Sequence, residues 1–153
     1  MSTAISIDVA GDDIQAALND LLTQISDTRP AMRAISEVLL DSIEEALDNE
    51  ADPDTGSPWQ ALSEATIAQR KRAGKWPGKM LQYSQGGLAS SFSANYGDEF
   101  AAASSNKPYA AIHHFGGMAG KNRRVTIPAR PYASLSPSHR EEVLDILARH
   151  LGL

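Results

Sequence analysis

Apolar side chains recur along residues 11–27 at the spacing of one helical face, with Ile14, Leu18, Leu21, Leu22 and Ile25 in register. That period predicts an amphipathic helix. Asp12 and Asp13 stand at its start, where the helix dipole favours negative charge. A second stripe, Ile35, Leu39, Ile43 and Leu47, predicts a longer helix that is capped by Thr28, takes Pro30 into its first turn and runs to about Asn49. Its other face carries Glu37, Asp41, Glu44, Glu45 and Asp48, a solvated carboxylate surface rather than an acid/base pair.

Helical spacing stops at Ala51. Asp52-Pro53-Asp54-Thr55-Gly56-Ser57-Pro58 is dense in turn formers and predicts a loop that delivers Trp59. Ser63 caps a shorter helix reaching Ala73, which ends in Arg70, Lys71 and Arg72 before Gly74. Beyond Met80 the period changes to two. Phe92, Ala94 and Tyr96 alternate with small polar residues, and Gly97-Asp98 turns the chain into residues 99–105, which predicts a hairpin. Residues 109–115 are apolar, but periodicity leaves their type open. Residues 116–122 read as a flexible loop, 123–127 as a strand, and 128–137 as an extended connection stiffened by proline. A closing helix over 138–151 presents Val143, Leu144, Leu147 and Leu151. The fold class expected is α+β, with N-terminal and C-terminal helices packed around a small antiparallel sheet. Residues 1–153 form one domain in this reading, with 1–28 as an N-terminal helical extension.

Composition agrees with that architecture and removes several chemistries. A chain of 153 residues with 42% hydrophobic content supports a single core. It has no cysteine, which excludes disulfides, zinc–thiolate sites and cysteine nucleophiles. No run approaches the roughly 20 apolar residues of a membrane span, and residues 1–9 lack a basic leader and apolar stretch. The expectation is a soluble protein made in the cytoplasm, with no membrane partner. The net charge of −5 is unevenly spread: residues 1–57 hold 13 acids against 2 bases, and residues 58–153 hold 6 acids against 12 bases. An acidic front and a basic middle pair within one subunit, between copies, or on DNA.

The residues that carry chemistry form no catalytic constellation. His113 and His114 are adjacent, so their rings diverge on either a strand or a helix and rarely ligate one ion. Serine is plentiful, but no Gly-x-Ser-x-Gly elbow occurs. Gly86-Gly87 and Gly116-Gly117 lack the phosphate-cradling pattern and read as turns. No metal, nucleotide or other cofactor is expected. Arg70, Lys71, Arg72, Lys121, Arg123 and Arg124 are candidate charged contacts to a partner or to DNA, yet no nucleic-acid-binding module accompanies them.

Three segments, taken in order, resemble the phage virion morphogenesis family, which includes the tail completion proteins of Mu-like and P2-like phages. The first runs Pro53-Asp54-Thr55-Gly56-Ser57-Pro58-Trp59-Gln60-Ala61-Leu62-Ser63, then Thr66. The second is Met80-Leu81, then Gly87-Leu88-Ala89-Ser90-Ser91-Phe92. The third is Tyr109-Ala110-Ala111-Ile112-His113-His114-Phe115-Gly116-Gly117, then Val125-Thr126-Ile127-Pro128-Ala129-Arg130-Pro131-Tyr132 and Leu135-Ser136. His114 stands where the family often has Gln before Phe-Gly. That departure touches no catalytic residue, because the family carries none.

The resemblance implies a non-enzymatic assembly protein that completes the tail and supports stable head joining. It implies partners among tail or neck proteins and further copies of the chain in a ring, and a location in the host cytoplasm during assembly and in the virion afterwards. A DNA-contacting connector component is the alternative, and a small hydrolase the third reading. Tyr109, Phe115 and Tyr132 are three of nine aromatics. With His114 and Arg130 they are the candidate assembly interface, because aromatics and arginine dominate interface hot spots.

Overall fold

The computed structural model describes residues 12–153; the expectation drawn from residues 1–9 lies outside the described residues. Helix α1 spans Asp12–Ser26 and α2 spans Arg29–Asn49. Pro30 sits in the first turn of α2, but Thr28 makes no side-chain cap. Its hydroxyl donates instead to the Asp98 carbonyl, and Arg29 pairs with the Asp98 carboxylate at 3.1 Å. The joint between the two helices is thereby pinned to the turn at Gly97-Asp98.

The expected α2 stripe forms the spine of the molecule. Ile35, Ile43 and Leu47 are buried, joined by Ala31, Val38 and Ala46, while the carboxylate face is exposed. Two serines are also buried on this helix. Ser36 donates to the Arg33 carbonyl at 2.7 Å, and Ser42 to the Ser134 carbonyl at 2.8 Å, so neither hydroxyl is left unsatisfied. Glu50, in the left-handed region at φ 53°, ends the helix.

Strands β1 (Phe92–Tyr96) and β2 (Ala101–Ser105) form the expected antiparallel hairpin, with Phe92 opposite Ser105 and Tyr96 opposite Ala101. The hairpin packs on α2. Helix α3 is Glu64–Arg72, capped by Ser63, whose hydroxyl accepts from the Thr66 amide. Residues 110–115, left open by periodicity, are a short helix, α4 (Ala110–Phe115). Residues 116–122 are more ordered than a flexible loop. Gly117–Ala119 is strand β3, paired antiparallel with β4 (Val125–Ile127) across a single 3-10 turn at Lys121–Arg123. The strands therefore make two separate hairpins rather than one sheet.

Helix α5 (Pro137–His150) begins at a Ser136 cap and packs on α2. Its inward face is rotated from the expected one: Val143, Ile146 and Leu147 are half-buried, whereas Leu144 is 64% exposed. The core proper gathers Ile43, Ala46 and Leu47 of α2 with Trp59, Leu88 and Tyr132 from the connecting segments. Each large side chain removed from water there contributes roughly 1.5 to 3 kcal/mol.

A candidate assembly surface

The three segments quoted above converge in space, and the first is set by a tight loop. The Gly56 amide donates to the Asp52 carbonyl at 2.7 Å, and the Ser57 carbonyl accepts from the Asp52 amide at 2.9 Å. Gly56 takes φ 71° at the bend, a conformation that costs glycine little. The Trp59 amide then donates to the Glu50 carbonyl at 2.9 Å. The indole enters the core and donates to the Pro131 carbonyl at 2.8 Å. Beside that bond, Arg130 Nη2 donates to the Gln60 carbonyl at 3.0 Å. These two contacts join the first segment to the third.

The second segment is held against the end of α2. Lys79 pairs with Asp48 at 2.8 Å, which holds the Asp48 carboxyl below its ordinary value through the hydrogen bond and the opposite charge. Gln82 donates to the Leu47 carbonyl at 3.0 Å, and the Met80 amide donates to Glu50. Leu88 is buried against this cluster, and Phe92 meets Tyr132 edge-on at 5.2 Å.

The candidate interface residues divide between the interior and the surface. Tyr132 and Arg130 are buried, at 3% and 5% exposure. Tyr132 donates its hydroxyl to the Ala110 carbonyl at 2.6 Å, and burial raises its pKa. Both side chains position neighbouring segments, and Arg130 also lines a cleft. His114 Nδ1 accepts from the Tyr132 and Ala133 amides at 3.2 and 3.3 Å, so the ring proton belongs on Nε2. Phe115 is different: it is 77% exposed, and Tyr109 is 41% exposed, so neither plugs the core.

Phe115 sits where α4 meets the β3–β4 hairpin. Gly116 makes the junction at φ 76°, and a Cβ there would lie 2.8 Å from the Ala129 amide nitrogen and 3.0 Å from the Ile127 carbonyl. Only glycine fits this close approach. Met118 and Val125 on the same hairpin are half exposed, at 50% and 53%. Lys121, Arg123 and Arg124 at its turn are exposed. Phe115 at the end of α4 and Met118 on β3 are thus exposed apolar side chains next to three exposed cations, while Val125, paired with Ala119, lies on the other face of the hairpin from Met118, and spacing alone missed Met118 because it lay in the presumed loop.

The basic cluster at the end of α3 also divides. Lys71 and Arg72 are exposed, but Arg70 is 6% exposed rather than on the surface. Its guanidinium donates to the Lys79 and Gly78 carbonyls at 2.9 and 3.3 Å and lies 5.5 Å from the Tyr83 ring. Arg70 and Arg130 both line a cleft of about 570 Å³ between α3, the segment at residues 81–88, α4 and β4. Burial and then the nearby Arg70 charge lower the pKa of Arg130, and Glu50 opposes them.

His113 lines the same cleft, and burial followed by the Arg130 charge lowers its pKa; for His114 burial lowers it and Asp52 opposes. Among the described residues, no group of three or more His, Asp or Glu is placed to hold a metal ion. Both histidines bind protons less readily in the folded chain than in the unfolded one. Their contribution to stability is therefore complete above the unfolded value near 6.5 and declines as pH falls below it toward the folded value. Thermal unfolding followed from pH 8 to about 5 is expected to show a falling midpoint. In His114→Gln, whose amide oxygen can accept the same two N–H groups, the decline is expected to be shallower. An unchanged slope in that variant would remove His114 from the account.

The chain belongs to the phage virion morphogenesis family, whose model matches residues 9–152. It is 38% identical over 153 residues to the putative capsid assembly protein G of Escherichia phage Mu, covering 99% of this chain and 97% of that protein. Two relatives from Haemophilus influenzae are similar as well. Mu-like prophage FluMu G protein 1 is 35% identical over 132 residues, covering 86% of this chain and 84% of its own. FluMu G protein 2 is 39% identical over 98 residues, covering 59% and 71%. No solved structure matches. The chain is thus a phage virion morphogenesis protein, and no described helix is long and apolar enough to cross a membrane.

Proposed function

We propose that this protein completes the phage tail and supports stable joining of the head, acting by protein–protein binding without catalysis and as a ring of identical copies in the virion. The observation that carries the reading is the exposure of Phe115 at the end of α4 and of Met118 on the adjoining hairpin, whose turn carries the exposed Lys121, Arg123 and Arg124. Exposed large apolar side chains near like-signed charge suit a protein interface, in which burial supplies affinity and charge sets orientation. Family membership adds that the partners are other virion proteins. The test is a phage genome with this gene deleted. Electron microscopy of its lysate is expected to show finished heads and separate tails, and purified protein added back is expected to restore joined, infectious particles. Normal joined particles from the deletion would reject the proposal.

The hairpin cations also separate this reading from a DNA-contacting connector component. Replacing Lys121, Arg123 and Arg124 by Ser is expected to weaken binding to unfinished tails and to reduce its salt sensitivity, with no change in retention of duplex DNA. Were phosphate the partner, the slope of log affinity against log salt would flatten by roughly 0.9 for each charge removed.

A further inference from the structure

The cleft beside the hairpin carries two cations and no anion. Its lining holds Arg70 and Arg130 and contains no Asp or Glu. Both arginines are more than nine-tenths buried, and among the described residues neither forms an ion pair. Arg130 Nε and His113 Nδ1 are buried with no hydrogen-bond partner. Buried donors are normally satisfied, and two like charges held together in a half-dry cleft repel. The remaining lining mixes apolar side chains, Leu62, Leu81 and Ile127 among them, with uncharged polar ones such as Gln60, Ser63, Thr66 and Thr126. Such a site fits a carboxylate presented beside apolar side chains.

One element of this same chain has that composition on side chains that stand exposed. Every described side chain of α1 is exposed, including Leu21, Leu22 and Ile25 at 42%, 51% and 49%, with Asp20 beside them and Asp27 just beyond. A helix of 15 residues is marginal in water without a packed apolar face. Its hinge to α2 is fixed by the contacts of Thr28 and Arg29 to Asp98, which leaves α1 as an arm.

We propose that the cleft receives α1 of a second copy, with Leu21, Leu22 and Ile25 covering its apolar walls and Asp20 meeting the guanidiniums of Arg70 and Arg130. Arm and cleft are different surfaces, so the contact is head-to-tail. Repeated, it closes into a ring where the rotation between copies divides the circle and extends as a fibre where it does not. The inference rests on the self-association named above, but not on tail completion, because its readout is the mass of the purified chain alone.

Two variants on exposed residues test it without touching the core. Leu22→Asp spoils the arm, and Ala61→Trp fills the cleft mouth, where Ala61 is exposed. Circular dichroism checks that both fold. By light scattering, the wild-type chain is expected to be a multi-subunit species that dissociates as salt is raised. Each variant alone is expected to associate about 30-fold or more weakly, the loss of a hot-spot residue. Mixed together, the two are expected to form a one-to-one dimer and nothing larger, because that pair holds one intact arm and one intact cleft. A monomeric wild type, a folded variant that still self-associates, or a silent mixture would each overturn the proposal. A deletion phage with joined particles would reject tail completion and leave this result standing.

Discussion

Truncating Trp59 to Ala is expected to cost about 3 to 5 kcal/mol of folding stability. The indole is 6% exposed among Ile43, Leu47, Leu88 and Tyr132, so its removal leaves a cavity where the three family segments meet. Its Nε1 donor also satisfies the Pro131 carbonyl. Trp59→Phe keeps much of the packing but orphans that carbonyl, a loss of about 1 to 3 kcal/mol. For a chain of this length the alanine variant is expected to melt roughly 6 to 20 °C lower. Denaturant unfolding of the two variants beside the wild type measures both terms. Equal losses for Phe and Ala would place the weight on the hydrogen bond rather than on the packing.

Phe115→Ala combined with Met118→Ala is expected to act on the other link of the chain. Both side chains lie mostly outside the fold, at 77% and 50% exposure, and surface substitutions away from special features change stability by about 0.5 kcal/mol or less. Binding to unfinished tails is expected to fall about 30-fold or more, as it does when hot-spot residues are truncated. Arg130→Ala is a useful contrast. Its side chain is buried and bonded to the Gln60 carbonyl, so its loss is expected to appear first in stability. A double variant that melts early and still binds tails would return Phe115 and Met118 to the core.

Helix α2 was legible because it buries a continuous face: its 3.6-residue stripe names Ile35, Ile43 and Leu47, which are buried. The β1–β2 hairpin was legible from alternation and its Gly97-Asp98 turn. Residues 110–115 were not, because a six-residue helix is too short for a period to show and is fixed instead by the Gly116 junction. β3 escaped for a related reason: Gly-Met-Ala does not alternate, and its strand character comes from pairing with Val125–Ile127. Arg70 and Arg130 carried the opposite lesson. Charge marks a surface residue until backbone carbonyls draw the guanidinium inward, as those of Gly78 and Lys79 do for Arg70 and that of Gln60 does for Arg130. Phe115, chosen for its residue type and irregular surroundings, is exposed, whereas Tyr132, chosen on the same ground, closes the core.

The central claim, a protein that acts by binding the unfinished tail, is tested most directly by sedimentation. Tails are purified from a lysate of the deletion phage, mixed with purified wild-type chain, and pelleted through a density gradient. The account predicts that the chain travels with the tails at a fixed, saturable number of copies per tail, and that the Phe115→Ala, Met118→Ala double variant, folded and equally soluble, stays at the top. Wild-type chain that remains at the top while the same tails go on to join heads would contradict it.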